Sequence, residues 1–257
     1  MSSMFCGMRA SWPKRLLALA ALSLAAACAQ VSGDAPGLSK ARIAEIVASP
    51  DRSAADRSND ARRKPEEMLG FIGMRPGMVA LDLSAGGGYT TELLARSVAP
   101  GGRVYAQVPR AASAALTARV AKPPLANVTV VAQPFEGPVP AEVASAGLDL
   151  ATMMFNYHDL GHMGVDRDRM NRAVFAALKP GGLYVVADHA GRAGTGISEA
   201  GTLHRVEEAF VKSEVERAGF RLLAAGSFLR NPNDPRDRET PEPAQPKDEF
   251  VLKFVKP

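Results

Sequence analysis

Four stretches of the 257-residue chain hold residue types that do chemistry. The first is Asp82-Leu83-Ser84-Ala85-Gly86-Gly87-Gly88, an acid followed by a glycine triplet. Glycines let a ligand come against the backbone, and where such a turn opens a helix the first N–H groups point outward, unpaired and partly positive. The second stretch is Asn156-Tyr157-His158-Asp159. Histidine exchanges a proton near neutral pH, and a neighbouring carboxylate favours its charged form. His158 and Asp159 are therefore the candidate catalytic pair, as base or substrate contact, with capping of the next helix as the competing role. Tyr157, just before them, is expected to pack. Asp188-His189 and His204-Arg205 complete the set, and Arg205 suits either a carboxylate or a helix cap. His158-x-x-x-His162 would set two imidazoles on one helical face, with Asp159 or Asp188 as an oxygen ligand. No glutamate lies between those histidines and Gly161 does, so the metal reading ranks below the others and no metal is assigned.

These residues need elements to position them, and the sequence punctuates those elements clearly. Arg75-Pro76-Gly77, Ala99-Pro100-Gly101-Gly102 and Lys179-Pro180-Gly181-Gly182 each follow a helical pattern and precede an apolar run. Proline stops the helix and glycine supplies the left-handed turn, so each marks a helix-to-strand joint. Strands are expected over residues 79–83, 103–108, 128–132, 148–154 and 183–188. They are apolar without clean alternation, as strands covered on both faces are. Strand and helix in alternation imply a parallel sheet wound on both sides. Residues 206–218 form an amphipathic helix, followed by a strand over 220–229, a proline-rich charged excursion over 230–248 and a last strand over 249–255. Two strands joined by a loop place an antiparallel strand in the sheet. The fold class is thus α/β, doubly wound, with a mostly parallel seven-stranded sheet and an antiparallel C-terminal strand. In such a sheet ligands bind beyond the carboxyl ends of the strands, where strand order reverses.

Asp82-Leu83-Ser84-Ala85-Gly86-Gly87-Gly88 resembles the first motif of class I S-adenosylmethionine-dependent methyltransferases, an acid ending the first strand and then a G-x-G-x-G loop. The resemblance runs from about residue 51 to the end. It extends to the charged segment Asp51–Lys64, DR-x-x-x-DR-x-x-x-AR-x-x-P, and to Asn156-x-His158-Asp159. Both are similar to a group of bacterial methyltransferases that carry an N-terminal signal peptide. The resemblance implies a Rossmann-like methyltransferase fold, S-adenosylmethionine as cofactor, and Asp82, Ser84, Gly86 and Gly88 around its methionine moiety. It also implies that Asn156 lies beside the transferable methyl group. Ser84 stands where the family has its first glycine. Gln107 and Gln133 stand where it has acids for the ribose and near the adenine, a change from charged to neutral acceptor that should weaken binding by roughly five- to tenfold. The activity implied is methyl transfer to an acceptor that the sequence does not name. A non-catalytic small-molecule-binding protein on the same fold is the alternative, and a metal-assisted hydrolase the second. A dinucleotide dehydrogenase ranks lower, because the third glycine of G-x-G-x-x-G would fall at Thr91.

Residues 1–29 read as a leader: Arg9, Lys14 and Arg15 precede an uninterrupted small-apolar run from Leu16 to Ala27. At about 1.5 Å per residue that run is too short for the roughly 30 Å hydrocarbon core, so it fits a signal peptide and not an anchor helix. Its end fits cleavage before Gln30, or a lipobox that leaves Cys28 lipidated and the protein attached to a membrane. Residues 30–64 are expected as linker and N-terminal helical cap segment, and 65–257 as the methyltransferase-like domain. The charged run within 51–64 suits a salt-bridged surface helix or a cap over the cofactor. Cys6 and Cys28 are the two cysteines, so the body of the chain has no disulfide and is compatible with a periplasmic or exported setting. The chain has 31 Lys and Arg against 27 Asp and Glu, and three of those bases leave with the leader. The near-neutral remainder argues against a nucleic-acid partner.

Overall fold

The computed structural model describes residues 37–257. The expected leader with Cys28, and the first residues of the linker, lie outside the described residues. Seven strands form one sheet: β1 (Val79–Leu83), β2 (Arg103–Val108), β3 (Val128–Ala132), β4 (Leu148–Met154), β5 (Leu178–His189), β6 (Arg221–Gly226) and β7 (Glu249–Val255). Their order in space is β3-β2-β1-β4-β5-β7-β6. The first five run parallel, and β7 is antiparallel to both β5 and β6. This is the doubly wound, mostly parallel sheet with an antiparallel C-terminal strand that the sequence leads one to expect. Strand order reverses between β1 and β4, so the ends of those two strands define the ligand rim.

The helices are α1 (Lys40–Val47), α2 (Ala54–Arg63), α3 (Pro65–Ile72), α4 (Tyr89–Val98), α5 (Ala114–Val120), α6 (Ala141–Ala146), α7 (Asp159–His162), α8 (Arg167–Ala177), α9 (Ala200–Leu203) and α10 (Glu208–Arg217). Ser39, Ser53, Ser113 and Asp166 cap α1, α2, α5 and α8, each side chain accepting an N–H of the first turn. Pro65 starts α3 directly after Lys64, whose left-handed backbone (φ 43°) turns the chain from α2 into α3 without a loop. Successive strand residues face opposite layers. Leu81 and Leu83 pack with Met170 and Val174 of α8 and Val211 and Val215 of α10. Ala80, Leu150 and Val185 pack with Ile43 of α1, Leu69 of α3 and Leu94 of α4. Among the described residues no helix is long and apolar enough to cross a membrane.

Two strand boundaries depart from the expectation. β5 begins at Leu178, not Leu183, because Leu178 pairs with Leu148 ahead of a register shift. The Pro-Gly joint is thereby drawn into the sheet, with Gly181 donating to the Lys256 carbonyl at 2.8 Å. β6 stops at Gly226, and Leu229 turns into the layer of α1, α3 and α4. Arg205 is fully buried and binds Asp234 through both guanidinium ends (2.8 and 3.2 Å), with further bonds to the carbonyls of Ala190 and Arg238. It therefore anchors the 230–248 excursion, and the carboxylate it holds belongs to the protein. Asp234→Ala would strand that guanidinium in the interior. It is expected to cost about 3–5 kcal/mol in urea unfolding.

Candidate functional site

Asp82, at the end of β1, is 1 % exposed and accepts hydrogen bonds from Thr91 Oγ1 of α4 (2.6 Å) and Thr152 Oγ1 of β4 (2.9 Å). Burial pushes its carboxyl up to about 6, against the pull of those two hydroxyls and of Arg63. The turn after it holds Ser84, Gly86 and Gly88 at φ 56°, 57° and 84°. Gly88 cannot be replaced freely: a Cβ there would stand 2.8 Å from both Arg119 Cδ and Leu116 Cδ1, besides the left-handed backbone. Ser84 adopts the conformation that glycine takes more cheaply, and its hydroxyl donates to Asn156 Oδ1. Helix α4 follows with Gly88 as N-cap and no side-chain cap, so its first N–H groups face the rim.

A cleft of about 370 Å³ lies over this turn, walled by Asp82 to Gly87, by Tyr89 and Thr90, by Met154 to Asn156, and on its far side by α2. The charged segment is thus built into the site. Asp56, Asn59 and Arg63 of α2 line the cleft with Arg119 of α5. Arg119 grips the segment by donating to Asp56 Oδ2 (2.6 Å), to Glu92 and to the Gly87 carbonyl (2.8 Å). Arg52 binds Asp60 with both ends (2.7 and 2.8 Å), and the Tyr89 hydroxyl donates to the same carboxylate (2.7 Å). Burial would raise the Asp56 carboxyl, yet hydrogen bonds from Arg119 and Ser53 carry it below the usual range.

Arg63 is the exception in this network. Its guanidinium lies 4.3 Å over the Phe155 ring and 5.4 Å over Tyr89, and it has no carboxylate partner among the described residues. Desolvation, then the neighbouring charge of Arg62, lowers its pKa. A half-desolvated cation on two aromatic faces, with no counter-charge of its own, is a prepared seat for an anion. Phe155 holds φ 60°, a strained setting for a bulky residue, and that backbone is what carries its ring under Arg63.

Behind this wall lies the histidine stretch. Asn156 accepts from Ser84 and donates to Asp159 Oδ2. His158 is 4 % exposed; its Nδ1 meets Asp188 Oδ1 at 2.6 Å and its backbone N–H donates to Asp188 Oδ2 at 2.8 Å. Burial pulls the His158 pKa down, but the bond and charge of Asp188, aided by Asp159, more than reverse this and leave it raised. His189 is shifted the other way, lowered by burial despite Glu249 at 3.0 Å. Tyr157 packs as expected: it is fully buried, donates to Glu214 at 2.8 Å and accepts from Asn171 at 2.9 Å.

The structure brings Asp82, Ser84, Gly86 and Asn156 together on one cleft, with Gly88 capping the helix beneath it. His158 and Asp159 stand one side chain behind Asn156 and do not line the cleft. Gln107 is wholly buried, and its amide is committed at both ends: Oε1 accepts from Ser84 N–H (2.8 Å) and Nε2 donates to the Gln133 carbonyl (2.6 Å). It staples the glycine turn to the end of β3, and Gln133 supplies its backbone to that staple. Sequence reasoning missed Arg63 and Asn59. The available signal was their spacing, Asn59 three residues after Asp56 and Arg63 four after Asn59, which puts all three on one face of α2.

The raised carboxyl of Asp82 fixes a sign. A folded-state pKa of about 6 against the ordinary 3.8 means that stability is full below pH 3.8 and lost as pH rises through 6. Asp82→Asn is therefore expected to unfold at higher urea than the parent at pH 7, by up to about 3 kcal/mol, with the difference shrinking toward pH 4.

No protein-family model matches the sequence, and no curated protein matches it. Among solved structures the chain is similar to a SAM-dependent methyltransferase from Aquifex aeolicus, at 20 % identity over 86 % of this chain and 100 % of that one, TM-score 0.57. It is similar to the [4+2]-cyclase SpnF at 19 % identity over 79 % of this chain and 82 % of that one, TM-score 0.56. The glycopeptide N-methyltransferase MtfA matches at 16 % identity over 80 % of this chain and all of its own, TM-score 0.53. At these identities the likeness establishes architecture: the chain has the Rossmann-like fold of class I methyltransferases.

Proposed function

We propose that the protein is an S-adenosylmethionine-dependent methyltransferase acting on a small-molecule acceptor. The observation that carries this reading is Arg63, a cation without a carboxylate partner among the described residues, in a cleft whose opposite wall is the glycine turn and the open end of α4. The cofactor has an amino-acid end, and its carboxylate fits that guanidinium. The volume falls in the range of about 300–1,000 Å³ typical of small-molecule sites. Since Gln107 is committed elsewhere, Asp56 and Asn59 of α2 provide the polar atoms that the end of β2 does not. When bound, the cofactor supplies an electrophilic methyl group. The protein's part is alignment: Ser84 and Asn156 fix the rim at which an acceptor must enter, and rate comes mainly from that positioning. Asp159 and His158 stand behind Asn156 as the groups to hold the acceptor's proton.

The cyclase among the neighbours shows that this fold hosts other chemistry, so binding and turnover both need measurement. Calorimetry of the purified protein with S-adenosylhomocysteine is expected to show saturable heat, and Arg63→Met to weaken it about 10- to 150-fold, the worth of a hydrogen-bonded ion contact. Absence of heat with both S-adenosylmethionine and S-adenosylhomocysteine would remove the reading.

We further propose that the protein belongs to the signal-peptide-bearing group of such enzymes and is exported, either cleaved before Gln30 or held at a membrane by lipidated Cys28. Support comes from the Arg9, Lys14 and Arg15 cluster ahead of the apolar run. Cell fractionation is expected to find it outside the cytoplasm. Cys28→Ser should move it from membrane to soluble fraction if the lipid is present.

A further inference from the structure

The four histidines of the chain converge at one end of the sheet. Ring centres of His162 and His204 are 6.0 Å apart, those of His204 and His158 5.6 Å, and those of His158 and His189 5.5 Å. Asp159 sits among the first three. Its Oδ1 lies 3.2 Å from His158 Nε2, 3.4 Å from His204 Nδ1 and 4.0 Å from His162 Nδ1. Ligand atoms around a tetrahedral zinc ion, with bonds of about 2.0–2.1 Å, stand about 3.3–3.4 Å apart. The first two distances match that spacing. The donor set, two imidazoles and one carboxylate, is the one that divalent first-row metals take with a position left open.

The surroundings are those of a metal ligand as well. The Nδ1 of His158 is held by Asp188, which also accepts the backbone N–H groups of His158 and His189. A carboxylate on the far nitrogen fixes the tautomer, turns the Nε2 lone pair toward Asp159 and makes it more basic. Asp159 is oriented in turn by Asn156 through its other oxygen. The inner side is closed, with the His158 side chain 5 % exposed, while His204 at 40 % and Asp159 at 25 % leave a way in.

We propose that His158 Nε2, Asp159 Oδ1 and His204 Nδ1 bind one divalent transition-metal ion of the zinc class, with the fourth position open to water or to an acceptor oxygen. The sequence pairing of His158 with His162 is replaced: His162 stands farthest from the shared oxygen, and His204 arrives from a separate loop. Such an ion takes the place of the proton that His158 and Asp159 would otherwise receive; through Asp159, Asn156 and Ser84 it would be joined to the glycine turn, so the acceptor class would be a hydroxyl that coordinates zinc and loses its proton to water. That last step rests on the methyl-transfer reading; the metal site does not.

The test uses the full chain with Cys6→Ser and Cys28→Ser, so that thiols do not compete, stripped with chelator and titrated with zinc in a calorimeter. One equivalent is expected to bind. Asp159→Asn and His204→Ala, both at partly exposed positions, should each weaken it at least about tenfold, as should Asp188→Asn from outside the ligand set. Cobalt in place of zinc should give the visible absorption of a four-coordinate site in the parent and lose it in His204→Ala. Arg63→Met should bind zinc as the parent does, which separates this site from the cofactor cleft. No saturable uptake, or uptake unchanged in both Asp159→Asn and His204→Ala with circular dichroism like the parent's, would overturn the proposal and leave a proton between His158 and Asp159.

Discussion

The site depends on one buried carboxylate. Asp82 closes the central strand β1, takes a hydroxyl from the neighbouring strand β4 and another from the helix α4 that follows the turn, and so binds three elements at one point. Keeping a carboxyl there costs stability, as its upward shift shows. What it gains is a turn that cannot drift: the strand end, the left-handed glycines and the uncapped helix start are tied together before any ligand arrives. Gln107 reinforces the same turn from β2 with bonds to Ser84 and to the end of β3. Two buried polar side chains thus hold the glycine turn in place from three strands and a helix.

Around this fixed point the wall is ionic. Arg52, Arg96 and Arg119 pair with Asp60, Asp51, Glu92 and Asp56, so the N-terminal segment is joined to α4 and α5 by charges that are mostly half-buried. Such a wall differs from an apolar lid. It places polar atoms on the cleft while most of its ions are answered by a neighbour, and Arg63, which has no carboxylate partner among the described residues, becomes the feature a ligand would read.

Much of the architecture is visible in the residues. Short apolar runs with proline and glycine at their ends mark β1 to β4 and β7 to the residue, since a buried parallel strand must be apolar and a helix must be stopped before it. β5 was less visible because Leu178 reaches across the Pro-Gly joint to Leu148, a long-range pairing with no local sign. The site was legible in part. Asp82, Gly86 and Asn156 are marked by their place after strands. The fate of Gln107 is not, because an amide can face a ligand or a backbone and composition does not say which. The inward face of α2 was hidden by its own charge, since aspartates and arginines that bind each other look the same whether they border solvent or a cleft. The meeting of His158 with His204 belongs to the tertiary structure alone.

The last strand has a consequence for the order of assembly. β7 lies between β5 and β6, and its Glu249 binds Arg62 while Lys253 donates to the Phe71 carbonyl. The wall that carries Arg63 is therefore braced by residues that are made after the six other strands of the sheet. Until they are, β5 presents a bare edge to any passing strand, so the growing protein must be shielded from self-association from the time β5 is made until β7 (Glu249–Val255) can pair with it.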